Sequence, residues 1–182
     1  MLKIVTVPDK ILTSPSKSIK KIDGKVKKLA KEMLRFLKTG LNGQPLGVGL
    51  SACQIGRSVR LFIVFDRKNN RYLTFINPKI IWKSKKMIAS PPGSKKPLEG
   101  CLSVPDVWGT VKRHQKIKVS FQDLKGVKKT KSFSDFSSCV IQHENDHING
   151  IVFVQRALEQ KSKLYKIEKD EEGKDRLLEI EI

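Results

Sequence analysis

Gln142-His143-Glu144-Asn145-Asp146-His147 is the stretch whose reading decides the fold and the chemistry. On a helix, residues four apart share one face, with about 5–6 Å between their Cβ atoms. His143 and His147 would therefore turn their imidazoles toward one point. Two neutral imidazoles so placed bind one divalent metal ion. Glu144, next to the first of them, is then positioned to handle the protons of a metal-bound water. The ordinary alternative is two surface or core histidines brought together by chance. The chain has only 3 His, and two of them at this spacing around a glutamate favour the metal.

Working outward, Ser134 suits an N-cap and Asp135 the first turn of the same helix. Phe136, Cys139, His143 and His147 follow at steps of three, four and four, with Val140 on the same face. The metal face thus continues the apolar face, and a buried helix is expected over about residues 134–149, with Gly150 as its stop. Cys139 lies about one turn before His143. The helical pitch of about 5.4 Å separates it from a metal held by the histidine pair, so it reads as a core thiol.

Two imidazoles need a further ligand. A downstream histidine in the pattern H-x-x-G-x-x-H is absent, because Phe153 stands at that position. Glu159 and the acidic tail from Glu168 are poorly placed. The better donor lies upstream, in Glu99-Gly100-Cys101-Leu102-Ser103-Val104-Pro105. Alone this stretch would be a turn with a buried cysteine. Beside a two-histidine site, Cys101 becomes a candidate ligand, and one thiolate with two imidazoles leaves a fourth position open, as catalytic sites do. His114 lies far away in a basic segment and reads as a solvated histidine.

The remaining elements follow from periodicity. Asp23-Gly24 opens a helix over about residues 24–39. Val26, Leu29, Ala30, Met33, Leu34 and Leu37 recur there at helical spacing, and Gly40 ends it. Leu2 to Val7 read as an extended run into a Pro8-Asp9 turn. Arg60 to Asp66, Tyr72 to Ile76 and Lys79 to Trp82 read as strands, with Asn77-Pro78 as an interruption. The basic stretch 83–98 reads as a long exposed loop. Ile117, Val119 and Phe121 alternate with polar residues as a half-buried strand, Asp123 to Gly126 turn the chain, and Val127 to Phe133 return. Ile151 to Val154 look like a strand or a short exit. From about residue 160 the tail reads as strand-like, with a terminal hairpin around residues 171–175. Gly47-Val48-Gly49-Leu50-Ser51-Ala52-Cys53-Gln54-Ile55-Gly56 lacks the order of a phosphate-binding loop. Its small residues suit either close approach to a ligand or, on composition alone, a tight turn.

Composition bounds the class. A chain of 182 residues is read as a single domain over 1–182 with that tail. Hydrophobic residues make up 38% and charged residues 30%, so a folded body with a heavily charged skin is expected. The net charge of +19 favours polyanion neighbours such as RNA, the ribosome or an anionic membrane surface. A solubilising, lysine-rich surface carries about equal weight. Three cysteines are no disulfide framework and fit a reducing compartment. No apolar run could span a membrane, and Met1 to Val7 are not a signal peptide. A cytoplasmic protein with no membrane partner and no specific DNA partner is expected.

Three of these segments together, Gly47 to Gln54, Glu99 to Ser103 and Gln142 to His147, resemble the signature motifs of peptide deformylase, in the family's order. The similarity runs from Leu2 to about Ala157. Ser51 stands where alanine is usual and Ile148 where leucine is usual, and neither change removes a catalytic group. The resemblance implies an α+β fold, with antiparallel β-sheets packed around the metal-binding helix. It implies hydrolysis of the N-formyl group from the formyl-methionine of nascent peptides. Cys101, His143 and His147 would hold one divalent ion, Fe2+ by resemblance, with Zn2+, Ni2+ or Co2+ as other occupants. Glu144 would be the general base and acid. Gln54 and the Leu102 backbone N–H would stabilise the oxyanion. Val48, Gly49, Leu50 and Gly100 would line the substrate site. Two rival readings are a zinc endopeptidase of the H-E-x-x-H type and a basic ribosome- or RNA-binding module with a structural metal. The endopeptidase is disfavoured by Phe153 and Cys101, and the binding module leaves Glu144 without a purpose.

Overall fold

Asp23 starts the first helix through its side chain. Its Oδ1 accepts the Val26 N–H at 3.1 Å, satisfying one of the donors that a helix start leaves unpaired. This helix, α1, runs Gly24–Thr39. Gly40, at φ +57°, closes it in a conformation that glycine adopts without strain. Ala30, Met33 and Leu37 are buried on its inner side. In this computed structural model, residues 2–40, 44, 46–93, 97–169, 173 and 175–180 are described.

The strands in chain order begin with β1 (Gly49–Ser51), β2 (Leu61–Asp66), β3 (Arg71–Lys83), β4 (Met87–Ser90) and β5 (Glu99–Cys101). They continue with β6 (Val104–Gly109), β7 (Val111–His114), β8 (Lys116–Gln122), β9 (Lys128–Ser134), β10 (Leu164–Lys169) and β11 (Asp175–Ile180). Between β9 and β10 lie helices α2 (Asp135–His147) and α3 (Phe153–Glu159). The strands form an antiparallel five-stranded sheet in the order β1-β2-β3-β8-β9, a four-stranded sheet β11-β10-β6-β5, and the pair β4-β7. The fold is α+β, as expected.

Alternation along the strands assigns the core. Leu61 and Ile63 of β2 turn toward α1, while Phe62 and Val64 turn toward Ile141 and Ile148 at α2. Successive strand residues face opposite sides, so β2 is apolar on both faces because helices cover both. Ile117, Val119 and Phe121 of β8 join the layer under α2, and their neighbours Lys116 and Lys118 are exposed. A third cluster, including Val104, Val111, Phe153, Ala157 and Leu164, packs α3 against β6, β7 and β10.

Several expectations need correction. Asn77-Pro78 does not end a strand. β3 runs through it with a register shift, and Asn77, at φ +49°, binds the Ile19 backbone N–H at 2.8 Å through Oδ1. The expected loop 83–98 contains β4, which pairs with β7; its flanking lysines disguise a four-residue strand. Residues 94–96 lie outside the described set. Ile151 to Val154 are not a strand, because Phe153 and Ala157, four apart, anchor α3 in the third cluster. His114 is not solvated. It is half-buried, with Nδ1 2.7 Å from the Ser84 carbonyl oxygen, and its backbone N–H donates to Gln142 Oε1 at 3.1 Å. Helix α2 ends at His147, short of residue 149, and the Ser134 hydroxyl makes no capping bond. The tail hairpin is present as β10 and β11, and β10 joins the four-stranded sheet through β6. The hairpin turn around residues 171–175 lies mostly outside the described residues.

Candidate active site

Helix α2, strand β5 and the segment from β1 into the following turn meet at one place. The second half of α2 carries His143, Glu144 and His147, and Cys101 ends β5. Cys101 Sγ lies 3.2 Å from His147 Nε2, which is 3.2 Å from His143 Nε2. One donor atom from each of the three residues falls within 4.8 Å of the others. Three electron-pair donors aimed at one another are a poor arrangement unless a cation joins them. One thiolate and two imidazoles fit a divalent metal with one coordination position to spare.

Buried charges orient these donors. Glu99 Oε1 lies 2.7 Å from His143 Nδ1, so the carboxylate holds the proton on Nδ1 and leaves Nε2 to face the metal position. Arg113 donates to Glu99 through Nε at 2.8 Å and to Asp146 through Nη1 at 2.9 Å. Arg156 donates to the other oxygen of Asp146 through Nη2 at 2.9 Å. Burial alone would push the Glu99 carboxyl up, but the Arg113 and His143 charges outweigh it and hold it well below the usual carboxylate range. Burial disfavours the charged form of both imidazoles. At His143 the Glu99 carboxylate overcomes this and the pKa is raised, whereas His147, facing His143, is pushed down.

Glu144 is 3% exposed. Burial raises its pKa, against the opposing pull of His143 and of a hydrogen bond from Ser51. Ser51 Oγ donates to Glu144 Oε2 at 2.7 Å. The Gly49 Cα packs against the same carboxylate, so a Cβ there would fall on Oε1 and lie 2.9 Å from Cδ. The short turn Ala52–Ile55 fixes Gln54. Its Oε1 accepts the Ser51 N–H at 2.8 Å, which directs Nε2 toward Cys101 Sγ at 3.6 Å and Ser103 Oγ at 3.3 Å.

A cleft of about 560 Å³ opens beside these groups. Val48, Gly49, Gly100, Cys101, Leu102 and Val140 are among its walls, along with His143 and Glu144. Strands β1 and β5, each at the edge of its sheet, flank it. Leu50 is different: it is fully buried in the cluster under α1 and does not line the cleft. The alternation of β1 turns it away from its neighbour Gly49. Cys139 lines the cleft floor and stays outside the donor cluster, and burial pushes its thiol up to about 11.

Residues 1–163 match the family model described as polypeptide deformylase. The chain belongs to the peptide deformylase family. It is 35% identical over 170 residues to a peptide deformylase of Desulfotalea psychrophila, covering 91% of this chain and 93% of that one. It is 38% identical over 166 residues to a peptide deformylase of Borreliella burgdorferi, with 91% and 93% covered. A crystal structure of a peptide deformylase from Acinetobacter baumannii with Met-Ala-Ser bound superposes with a TM-score of 0.73 at 29% identity. It covers 86% of this chain and 98% of that one. Peptide deformylases are metal-dependent hydrolases, and the Cys101-His143-His147 cluster is a candidate site for the metal in this one.

Beyond the residues singled out from the sequence, this deformylase sets Glu99, Arg113 and Asp146 directly behind the donors. Glu99 and Asp146 sit inside two of the motifs but carried no assigned role. Arg113 did leave a trace, since strand alternation puts it on the same face as the buried Val111. A charged side chain on an inward face requires partners.

Proposed function

We propose that this deformylase removes the N-formyl group from the formyl-methionine of nascent polypeptides and releases formate. The supporting observation is the convergence of Cys101 Sγ and the two imidazole Nε2 atoms within 4.8 Å, beside the buried Glu144, which lies outside that cluster. In this reading Cys101, His143 and His147 hold one divalent ion. Fe2+ is expected from the family resemblance, with Zn2+, Ni2+ or Co2+ as other occupants. When bound, such an ion polarises a carbonyl oxygen and makes a neighbouring water more acidic.

The chain's own groups do the rest. Glu144 accepts the proton of the attacking water, whose oxygen bonds to the formyl carbon. The oxygen of the former carbonyl gains charge, and the Gln54 side-chain amide and the Leu102 backbone N–H donate to it. A donor of this kind can contribute about 2.7–4 kcal/mol to the transition state. Glu144 then passes its proton to the departing amine, and the C–N bond breaks to give formate and a free N-terminus. The carboxylate that accepts the first proton is thus the acid for the second.

An extended peptide fits between the two sheet edges, alongside Gly49 and Gly100, with backbone hydrogen bonds to either side. Val48 and Val140 supply an apolar wall for an unbranched methionine side chain, and Leu50 contributes to that wall only by supporting β1 from the core. Residues 1–182 are proposed to act as one catalytic unit, supported by the pairing of β10 with β6. The net charge of +19 supports association with ribosomes, and the three free cysteines support the cytoplasm as the compartment. No specific DNA partner is proposed, and no described helix is long and apolar enough to cross a membrane.

Incubation with formyl-Met-Ala-Ser tests the reading. Stoichiometric formate and free Met-Ala-Ser are expected. Cleavage of an internal peptide bond, or an unchanged peptide with metal-loaded protein, would reject it.

A further inference from the structure

Strands β3, β8 and β9 lie side by side in the five-stranded sheet and contain no aspartate or glutamate. Their inner face, with Phe75, Ile117 and Val119, packs toward α2. Their outer face is buried under α1 at Ile76, and beyond it is exposed and basic. Lys118 of β8 pairs across the ladder with Trp82 of β3, and Lys79 of β3 pairs with Ser120 of β8. Lys128 of β9 stands opposite Gln122. Paired residues in an antiparallel ladder point to the same side, so these lysines and the tryptophan share one surface. Trp82 is 53% exposed and Ile81 beside it is 49% exposed. Asp123 at the β8–β9 turn is paired with Lys129 at 2.6 Å.

Two simpler explanations account for only part of this. Lysine on an edge strand blocks unwanted strand pairing, which explains Lys128 on β9. It also covers Lys79, which lies beyond the Arg71–Ile76 part of β3 that pairs with β2, but not Lys118, because β8 is paired on both edges. A solubilising skin explains lysines, but it gains nothing from a half-exposed tryptophan set among them. An aromatic platform ringed by cations on an open sheet is, however, what unpaired bases on a phosphate backbone require. The bases stack on the ring and the lysines neutralise phosphates.

We propose that the outer face of β3-β8-β9, centred on Trp82, Lys118 and Lys79, binds single-stranded RNA. The partner is set by charge and shape: a polyanion meets the lysines, and only a polyanion with exposed flat bases uses the tryptophan. The surface lies on the side of the sheet away from α2, so RNA there leaves the cleft open.

Fluorescence anisotropy of a labelled oligouridylate with the full-length, metal-loaded protein tests this. Binding is expected at low salt, with Kd rising steeply as salt is added. Trp82→Ala should weaken it about fivefold to a hundredfold, the range for loss of one stacked base. Lys79→Glu with Lys118→Glu should weaken it more than tenfold, while an equal charge change on α1, Lys27→Glu with Lys31→Glu, has a much smaller effect. All four substituted lysines and Trp82 are exposed, and formyl-peptide hydrolysis should be unchanged in every variant. The proposal is overturned by absence of binding at low salt, by wild-type affinity in Trp82→Ala, or by equal losses in the two lysine pairs. Binding to phosphatidylserine vesicles without binding to RNA overturns it as well.

Discussion

Glu99 Oε1 stands 2.7 Å from His143 Nδ1, and the same carboxylate is the buried counter-ion of Arg113. One side chain thus orients a candidate metal ligand and neutralises a guanidinium that is 4% exposed. Removing one partner of a buried pair costs about 3–5 kcal/mol, because the other charge stays behind uncompensated. Arg113 keeps Asp146, so the lower end applies to Glu99→Gln. At this chain length each kcal/mol lowers Tm by roughly 2–4 °C. A drop of roughly 6–12 °C is expected by calorimetry, along with weaker metal retention. An unchanged Tm would show that the pair contributes nothing net.

The same carboxylate gives stability a pH dependence of definite sign. Its pKa is lower in the folded chain than in the unfolded one, where a glutamate titrates near about 4.3. The unfolded state therefore binds the proton more readily. Glu99's contribution is complete above that value and is lost as pH falls below it toward the depressed folded value. Wild-type Tm should fall more steeply between about pH 5 and pH 3 than that of Glu99→Gln. Parallel curves would remove Glu99 as a cause of acid sensitivity.

Gly49 matters for a close contact rather than for its backbone conformation. A methyl group there would occupy the place of Glu144 Oε1. Glu144 is buried and held by Ser51, so it has little room to yield, and displacement of about 1 Å can reduce a rate about a hundredfold. Gly49→Ala should therefore lose deformylation by tenfold to a hundredfold with metal content near wild type. Full activity in that variant would mean that the carboxylate seen against Gly49 is not the working position.

How much of this was legible beforehand differs by residue. The i, i+4 pair His143 and His147 specified a helix, its buried face and a metal in one pattern. The alternation of Ile117, Val119 and Phe121 gave β8 its inner face. The four-residue strand Met87–Ser90 was hidden because its evidence is its partner β7, distant in sequence. Ile151 to Val154 read as a strand or a short exit, since so short an apolar run needs a known core to decide between helix and strand. The Glu99-Arg113-Asp146 network was missed for a related reason. Each charge is visible, but the three strand and helix segments that bring them together are set by tertiary packing.

Cys101 and Cys139 differ in their place relative to the donor cluster. Cys101 Sγ belongs to the donor cluster and accepts the Ser103 N–H at 3.4 Å. Cys139 lines the same cleft, but its thiol is pushed up to about 11 by burial and is absent from that cluster. Elemental analysis should find metal far below one equivalent in Cys101→Ala and near wild type in Cys139→Ala. The opposite order would exchange their roles, and full occupancy in both would take cysteine out of the site.

Glu144 is where structural and chemical roles separate most cleanly. It lies next to His143 in sequence yet outside the three-residue donor cluster. Its carboxylate is gripped by Ser51 on one oxygen and by the Gly49 backbone on the other side. Glu144→Gln preserves size and can keep the Ser51 hydrogen bond, so fold and metal binding should persist. What it loses is a group able to take a proton and return it. General acid–base groups contribute typically about 10²–10⁴-fold, and one residue serving both transfers should cost at least the upper part of that range. If Glu144 only braced α2 against β1, the glutamine would brace it nearly as well and turnover would survive. Metal content, Tm and formate release measured on one preparation distinguish these cases. A collapsed rate with metal and Tm intact assigns the proton transfers to Glu144, whereas a normal rate, or metal lost together with rate, assigns it to structure.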